Sequence, residues 1–236
     1  MNSLYSYTKK ISLTANQRKD ESLFIENDGD FIIERVYTKY DAPFRLNIID
    51  TLSNYSWFSD RIRSDNWFGT PQYPNELTKP IELVRGTIIK IDIENLSAEA
   101  NDVEIVFEGY KIFDSNIVVS KQKYYCYVMN VEVPSLDILV ENIKTNADCD
   151  FLINKLYACK DNDYSLDVKL ALSNYGGRRL QNEFTNIDNL FGSVLRPNIL
   201  KHPLKVVKNS IIQLDIKNNL NSIENAQIVF DGIKVW

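Results

Sequence analysis

KPIELVRGTIIKIDIENLSAEANDVEIVFEGYKIF, residues 79–113, is answered by HPLKVVKNSIIQLDIKNNLNSIENAQIVFDGIKVW, residues 202–236. Pro80 aligns with Pro203, Ile88-Ile89 with Ile211-Ile212, Asp92-Ile93 with Asp215-Ile216, and Asn95 with Asn218. Further on, Ile105-Val106-Phe107 aligns with Ile228-Val229-Phe230, and Gly109 and Lys111 with Gly232 and Lys234. Roughly a third of the pairs are identical and most others keep apolar character, which points to a tandem of related units. The repeat extends upstream. Tyr5 and Tyr7 pair with Tyr125 and Tyr127, Asp30-Phe31 with Asp150-Phe151, and Tyr37 with Tyr157. Leu46 pairs with Leu166, and Ser53-Asn54-Tyr55 with Ser173-Asn174-Tyr175. The offset is 120 residues up to that last element and 123 beyond it, so one copy carries a small insertion. Units of about 118 residues have the size of independent domains rather than of solenoid repeats. The division is placed at 1–118 and 119–236, with the joint near residues 114–121.

Both copies read in period two. Ile89, Ile91 and Ile93 alternate with Lys90, Asp92 and Glu94, and Ile212, Leu214 and Ile216 alternate with Gln213, Asp215 and Lys217. Such alternation turns one face of a strand to a core and the other to water. EIVFEGYKIF and QIVFDGIKVW are rich in β-branched and aromatic residues, and each holds a glycine at the same place. A glycine inside a strand marks a bulge or a close backbone approach. Further strands are expected over residues 6–14, 22–26, 31–38 and 44–50, with counterparts in the second unit; a short helix near 183–190 is the sole helical stretch. Seven or eight strands per unit, separated by Asn, Asp, Ser and Gly clusters, predict an all-β chain. The expected architecture is two tandem, internally duplicated antiparallel β-sandwich domains, jelly-roll-like, with the strand order left open.

The chain of 236 residues is 44% apolar, enough for two ordinary cores. A net charge of −5 with both signs interspersed argues against a dedicated nucleic-acid binder, which needs a concentrated basic face. No run of 18 apolar residues predicts a membrane span, and MNSLYSYTKKISL lacks the apolar core of a signal peptide. Cys126, Cys149 and Cys159 lie in one half without C-x-x-C spacing and read as reduced, buried thiols. His202 is the single histidine, and its counterpart is Lys79, so nothing marks it as catalytic. NDGD at 27–30 and NADCD at 146–150 resemble a calcium loop only faintly, because the spacing and terminal Glu of an EF-hand are absent. Turn chemistry is the favoured reading there. No catalytic residues, cofactor or metal is expected, and the chain reads as a non-enzyme.

One loop stands apart. In NYSWFSDRIRSDNWFGTPQYPNEL, Trp57, Phe58, Trp67, Phe68 and Tyr73 fall within 17 residues, whereas the second copy keeps Phe191-Gly192 and Pro197 but no Trp. Phe68 and Phe191, being shared, read as packing. Trp57, Phe58, Trp67 and Tyr73 are the candidate interface, since Trp and Tyr dominate interface hot spots. A local core beneath a long loop is the competing reading.

The order of these motifs resembles a known group. Tyr5 and Tyr7, Ala15-Asn16-Gln17 and Asp28-Gly29-Asp30-Phe31 precede Phe68-Gly69, Pro74, Pro80 and Leu83-Val84-Arg85-Gly86-Thr87-Ile88. Asn95-Leu96-Ser97 and Ile105-Val106-Phe107-Glu108-Gly109-Tyr110-Lys111 close the unit. The pattern is similar to β-sandwich structural proteins of tailed bacteriophages, in particular neck and tail ring proteins of crAss-like phages, and covers nearly the whole chain. The second unit departs from it at Asn218-Asn219-Leu220 and Gly232-Ile233-Lys234. The resemblance implies a virion protein made in the host bacterial cytoplasm and assembled in many copies in rings below the portal. Its partners would be copies of itself and neighbouring portal-associated proteins, with passive contact to DNA in the channel and none to a membrane. The alternatives are a carbohydrate-binding module using Trp57 and Trp67, and a capsid auxiliary or head-fibre protein.

Overall fold

A computed structural model describes residues 2–113, 120–162, 165–177 and 179–236. The chain divides into two compact units, Met1–Tyr125 and Cys126–Trp236. The expected boundary between residues 118 and 119 lies outside the described residues.

The first unit comprises β1 (Asn2–Leu13), β2 (Arg18–Phe24), β3 (Asp30–Tyr40), β4 (Phe44–Asp50), β5 (Tyr55–Ser56) and β6 (Ile62–Arg63). It continues with β7 (Asn75–Leu83), β8 (Ile88–Asn95) and β9 (Asn101–Ile112). Among the described residues these form one antiparallel sheet in the order β1-β9-β3-β7 and another in the order β2-β8-β4-β5, with β6 also on β4. From β1 to β4, and again from β7 to β9, each strand lies in the opposite sheet from the one before it. This is jelly-roll winding. The alternation seen in sequence has its cause here: Ile89, Ile91 and Ile93 on β8 are fully buried, as are Phe31, Ile33, Ile105 and Phe107 of the other sheet. Each such side chain contributes about 1.5–3 kcal/mol on leaving water.

The second unit repeats the order. Its elements are β10 (Gln122–Val133, whose first four residues fall within the first unit), β11 (Ile138–Lys144), β12 (Asp150–Lys160), β13 (Leu166–Leu172), β14 (Thr185–Asn186) and α1 (Ile187–Leu190). β15 (Gly192–Ser193), β16 (Arg196–Val206), β17 (Ile211–Asn218) and β18 (Glu224–Val235) complete it. The sheets run β10-β18-β12-β16-β15 and β11-β17-β13-β14. The helix expected within 183–190 is thus one turn, started by Asn186, whose side chain accepts from the Asp188 amide at 3.1 Å.

Gly109 and Gly232 each sit opposite a bulge. Register shifts between Ile33 and Arg35 where β3 meets β9, and between Ile153 and Lys155 where β12 meets β18. One extra residue flips the pleat, so Phe31 and Ile33 point inward before it and Val36 and Thr38 after it. The bulged carbonyl leans onto the glycine: a Cβ on Gly109 would stand 1.8 Å from the Ile32 oxygen, and one on Gly232 2.0 Å from that of Leu152. Only hydrogen fits at either position.

Candidate functional site

The aromatic loop between β4 and β7 folds inward. Trp57, Phe58 and Trp67 are at most 1% exposed, and Phe68 is buried too. Trp67 is the hub: its ring centroid lies 4.8 Å from Phe58, 4.6 Å from Phe68 and 6.2 Å from Trp57, all tilted or edge-on. Trp57 meets Phe107 of β9 edge-on at 6.0 Å. The Trp67 indole N–H donates to the Tyr124 hydroxyl at 2.8 Å, which satisfies the one polar atom such burial strands. Of the two readings of this loop, burial therefore favours a local core for Trp57, Phe58 and Trp67. Tyr73 is the exception at 71% exposed.

The loop is closed by two asparagines that the sequence reading passed over, together with the glycines it noted. Asn75 Nδ2 donates to the Trp67 carbonyl at 2.7 Å, and Asn198 Nδ2 donates to that of Leu190 at 2.7 Å. Gly69 lies against the backbone at Tyr73, where a Cβ would come within 2.1 Å of the carbonyl oxygen. Gly192 approaches Arg196 in the same way at 2.3 Å. Phe-Gly followed by Pro-Asn, present in both units, is the signal for this clamp. Phe191 is fully buried, as packing required.

The repeated polar residues converge on a buried lysine. Lys111, near the end of β9, is fully enclosed. Its ammonium bonds to Glu26 and lies 2.9 Å from Asp28 Oδ1, with Nζ 4.0 Å from the Tyr5 ring centroid and 5.3 Å from that of Tyr7. Burial alone would lower its pKa, but hydrogen bonds to Glu26, Asp28 and Tyr7 outweigh it and hold Lys111 above the ordinary lysine range. Hydrogen bonds from Lys111 in turn hold Glu26 and Asp28 below the ordinary carboxylate range. Asp30 accepts from the Arg85 amide at 2.9 Å and from its guanidinium at 3.0 Å. The acids of NDGD are thus taken by cations of the fold, and among the described residues no cluster of His, Cys, Asp or Glu is placed to hold a metal ion.

The second unit keeps the lysine and changes its surroundings. Asn146 stands where the first unit has Glu26, and its Oδ1 accepts from the Tyr127 hydroxyl at 2.6 Å. Asp148 accepts from the Trp236 indole at 3.1 Å, and Asp150 pairs with Lys205 at 2.8 Å. Burial pushes Lys234 below the ordinary lysine range. Corresponding positions hold lysines of opposite shift: two carboxylates bond to Lys111, whereas at Lys234 an amide stands in place of one and Asp148 bonds to Trp236.

Other repeated residues clamp loops. Asn95 Nδ2 donates to the carbonyls of Thr14 and Glu99, and Asn218 Nδ2 donates to those of Val133 and Ser222, at 2.8–3.0 Å. His202 is exposed on β16, Cys126 and Cys149 are buried, and Cys159 is partly covered. No helix among the described residues is long and apolar enough to cross a membrane.

No protein-family model and no curated protein sequence matches the chain. Among solved structures it is similar to one of Sulfolobus turreted icosahedral virus, at 10% identity and a TM-score of 0.30, covering 97% of this chain and 60% of that one. It is also similar to the infectious bursal disease virus VP2 subviral particle, at 10% identity and a TM-score of 0.28, covering 99% and 72%. A third is the tandem CBM22 domain from Paenibacillus barcinonensis Xyn10C, at 9% identity and a TM-score of 0.20, covering 99% and 91%. The chain thus spans about 60% of the length of the first of these. Likenesses at such scores bear on neither fold nor function.

Proposed function

We propose that the chain is a non-enzymatic virion structural protein of a tailed bacteriophage, a ring component of the neck or tail assembled in many copies around the DNA channel below the portal. The observation that carries this reading is what the repeated residues do. Lys111, Asn95, Gly109 and their counterparts each hold backbone or close a core. Two jelly rolls of one strand order, derived on this reading from a duplication, supply stiff blocks whose differences lie in loops and edges. The edge strands of the two units differ chemically. β2 shows Arg18 and Asp20 in ion pairs with Asp92 and Lys90, whereas the matching β11 shows Ile138 and Val140, each about half exposed. Unlike edges suit unlike neighbours in a stacked assembly. The net charge of −5 suits a channel wall that does not grip DNA. The carbohydrate reading loses its platforms, because the indoles of Trp57 and Trp67 lie inside.

Negative-stain imaging across a concentration series tests the proposal. Closed rings that appear as concentration rises are expected. A chain that stays dispersed and binds glycans, with binding lost in Trp57→Ala, would overturn it.

A further inference from the structure

A basic strip runs along β16 of the second unit. Residues 196–208, RPNILKHPLKVVK, hold one arginine, three lysines and the chain's single histidine, and no acid stands between Asp188 and Asp215. The matching residues of the first unit, 73–85, read YPNELTKPIELVR, with two acids and two cations. There the cations are paired: Lys79 lies 3.9 Å from Glu82, and Arg85 bonds to Asp30 at 3.0 Å. On β16 they are mostly not. Arg196, Lys201, Lys205 and Lys208 are exposed; Lys205 pairs with Asp150, and the other three side chains form no ion pair among the described residues. The net charge of the whole chain conceals this asymmetry. Residues 1–118 hold 19 acids and 13 cations, whereas residues 119–236 hold 13 and 14.

The strip is also open. β15 pairs only with Arg196 and Pro197, so among the described residues no strand covers Ile199 to Val206 on the side away from β12. Lysine on an open edge guards against unwanted strand pairing, but β2 and β7 are guarded by charges of both signs, and guarding does not call for one sign. A row of one sign is complementary to a polyanion. The strip holds no Phe, Tyr or Trp on which unpaired bases could stack, which favours a duplex over a single strand. At about 3.3 Å per residue, Lys201 and Lys208 stand at most roughly 23 Å apart, a reach of about seven base pairs.

We propose that the β16 strip is a contact surface for the phosphate backbone of duplex nucleic acid, engaged without regard to base sequence. Lys205 and the three unpaired cations supply the contacts, and His202 sits among them. Three or four phosphate contacts make a weak, salt-sensitive association rather than a grip. The strip lies wholly within the second unit, so the proposal goes beyond the ring reading and does not rest on it.

The test is fluorescence anisotropy of a labelled 20-base-pair DNA duplex, about 20 being ample for the strip's reach, titrated with the full chain at rising NaCl. A log–log slope of affinity against salt of about −3 to −4 is expected, a loss of roughly a hundredfold between about 50 and 200 mM. Arg196→Gln/Lys201→Gln/Lys208→Gln leaves the Lys205–Asp150 pair in place. It is expected to weaken binding at least about tenfold at low salt and to bring the slope to about −1. Lys39→Gln/Lys144→Gln/Lys217→Gln removes as many exposed cations elsewhere and is expected to shift affinity less than about twofold. Absence of duplex binding at low salt, or equal weakening by the two triple variants in folded chains, overturns the proposal. Poly-glutamate that displaces the duplex at equal charge concentration would assign the strip to an acidic protein and overturn it too. Each of these failures leaves the ring reading standing.

Discussion

Gly109→Ala puts the bulge between β3 and β9 under direct test. The added Cβ would lie 1.8 Å from the Ile32 oxygen and 2.9 Å from its carbonyl carbon, and both are backbone atoms that no rotamer change can move. Restoring a 3.0 Å contact shifts that carbonyl by roughly 1.2 Å, out of a strand held on one side by β9 and on the other by β7. Overpacking where side chains can yield costs about 1–3 kcal/mol. Here the upper end applies, with one or two ladder hydrogen bonds at about 1 kcal/mol each. The expected loss is about 3–5 kcal/mol, a fall of roughly 10–20 °C in Tm for a unit of this size. Urea unfolding followed by the fluorescence of Trp57 and Trp67, both buried in the first unit, reads it out. A loss under about 1 kcal/mol with an unchanged m-value would mean the close approach is not real.

The lysine sites and the loop clamps give further predictions. Glu26 and Asp28 have lowered pKa values in the fold, so their contribution is present above the ordinary carboxylate range and lost as pH falls through the lowered values. Urea midpoints measured from pH 7 down to pH 2.5 should therefore fall more steeply in the wild type than in Lys111→Met. Lys234 is shifted the other way, so its protonated form burdens the fold below the ordinary lysine pKa and stability rises with pH through that window. At pH 7, Lys234→Met is expected to cost less than Lys111→Met; the reverse order of Tm values would refute the contrast. Asn75→Ala strips the Trp67 carbonyl of its side-chain donor and should cost about 1–3 kcal/mol, with Asn198→Ala similar in the second unit, both read by chemical denaturation.

Facing was legible in the sequence, and neighbourhood was not. Period two at Ile89, Ile91 and Ile93 says which side chains go inside, and they do, because alternation is a property of a single strand. It does not say that β9 lies between β1 and β3, since pairing depends on chain closure over as many as 110 residues between Asn2 and Ile112. Gly109 announced a close approach without naming Ile32 as the other party. Tyr5, Tyr7, Asp28 and Lys111 were visible as repeated residues, yet only the fold brings the two ends of the unit around one ammonium. The aromatic loop was ambiguous because Trp serves cores and surfaces equally well. What decides it is the closure by Gly69 and Asn75, and these have counterparts in the second unit at Gly192 and Asn198, in a loop with no tryptophan to draw the eye.

The proposed place in the particle is tested most directly by antibody labelling of intact tailed particles from cells that carry this gene, viewed by electron microscopy. Label confined to the junction of head and tail is the expected result. Label spread over the head would instead assign the chain to the capsid surface, and particles free of the chain would contradict a structural role in the virion.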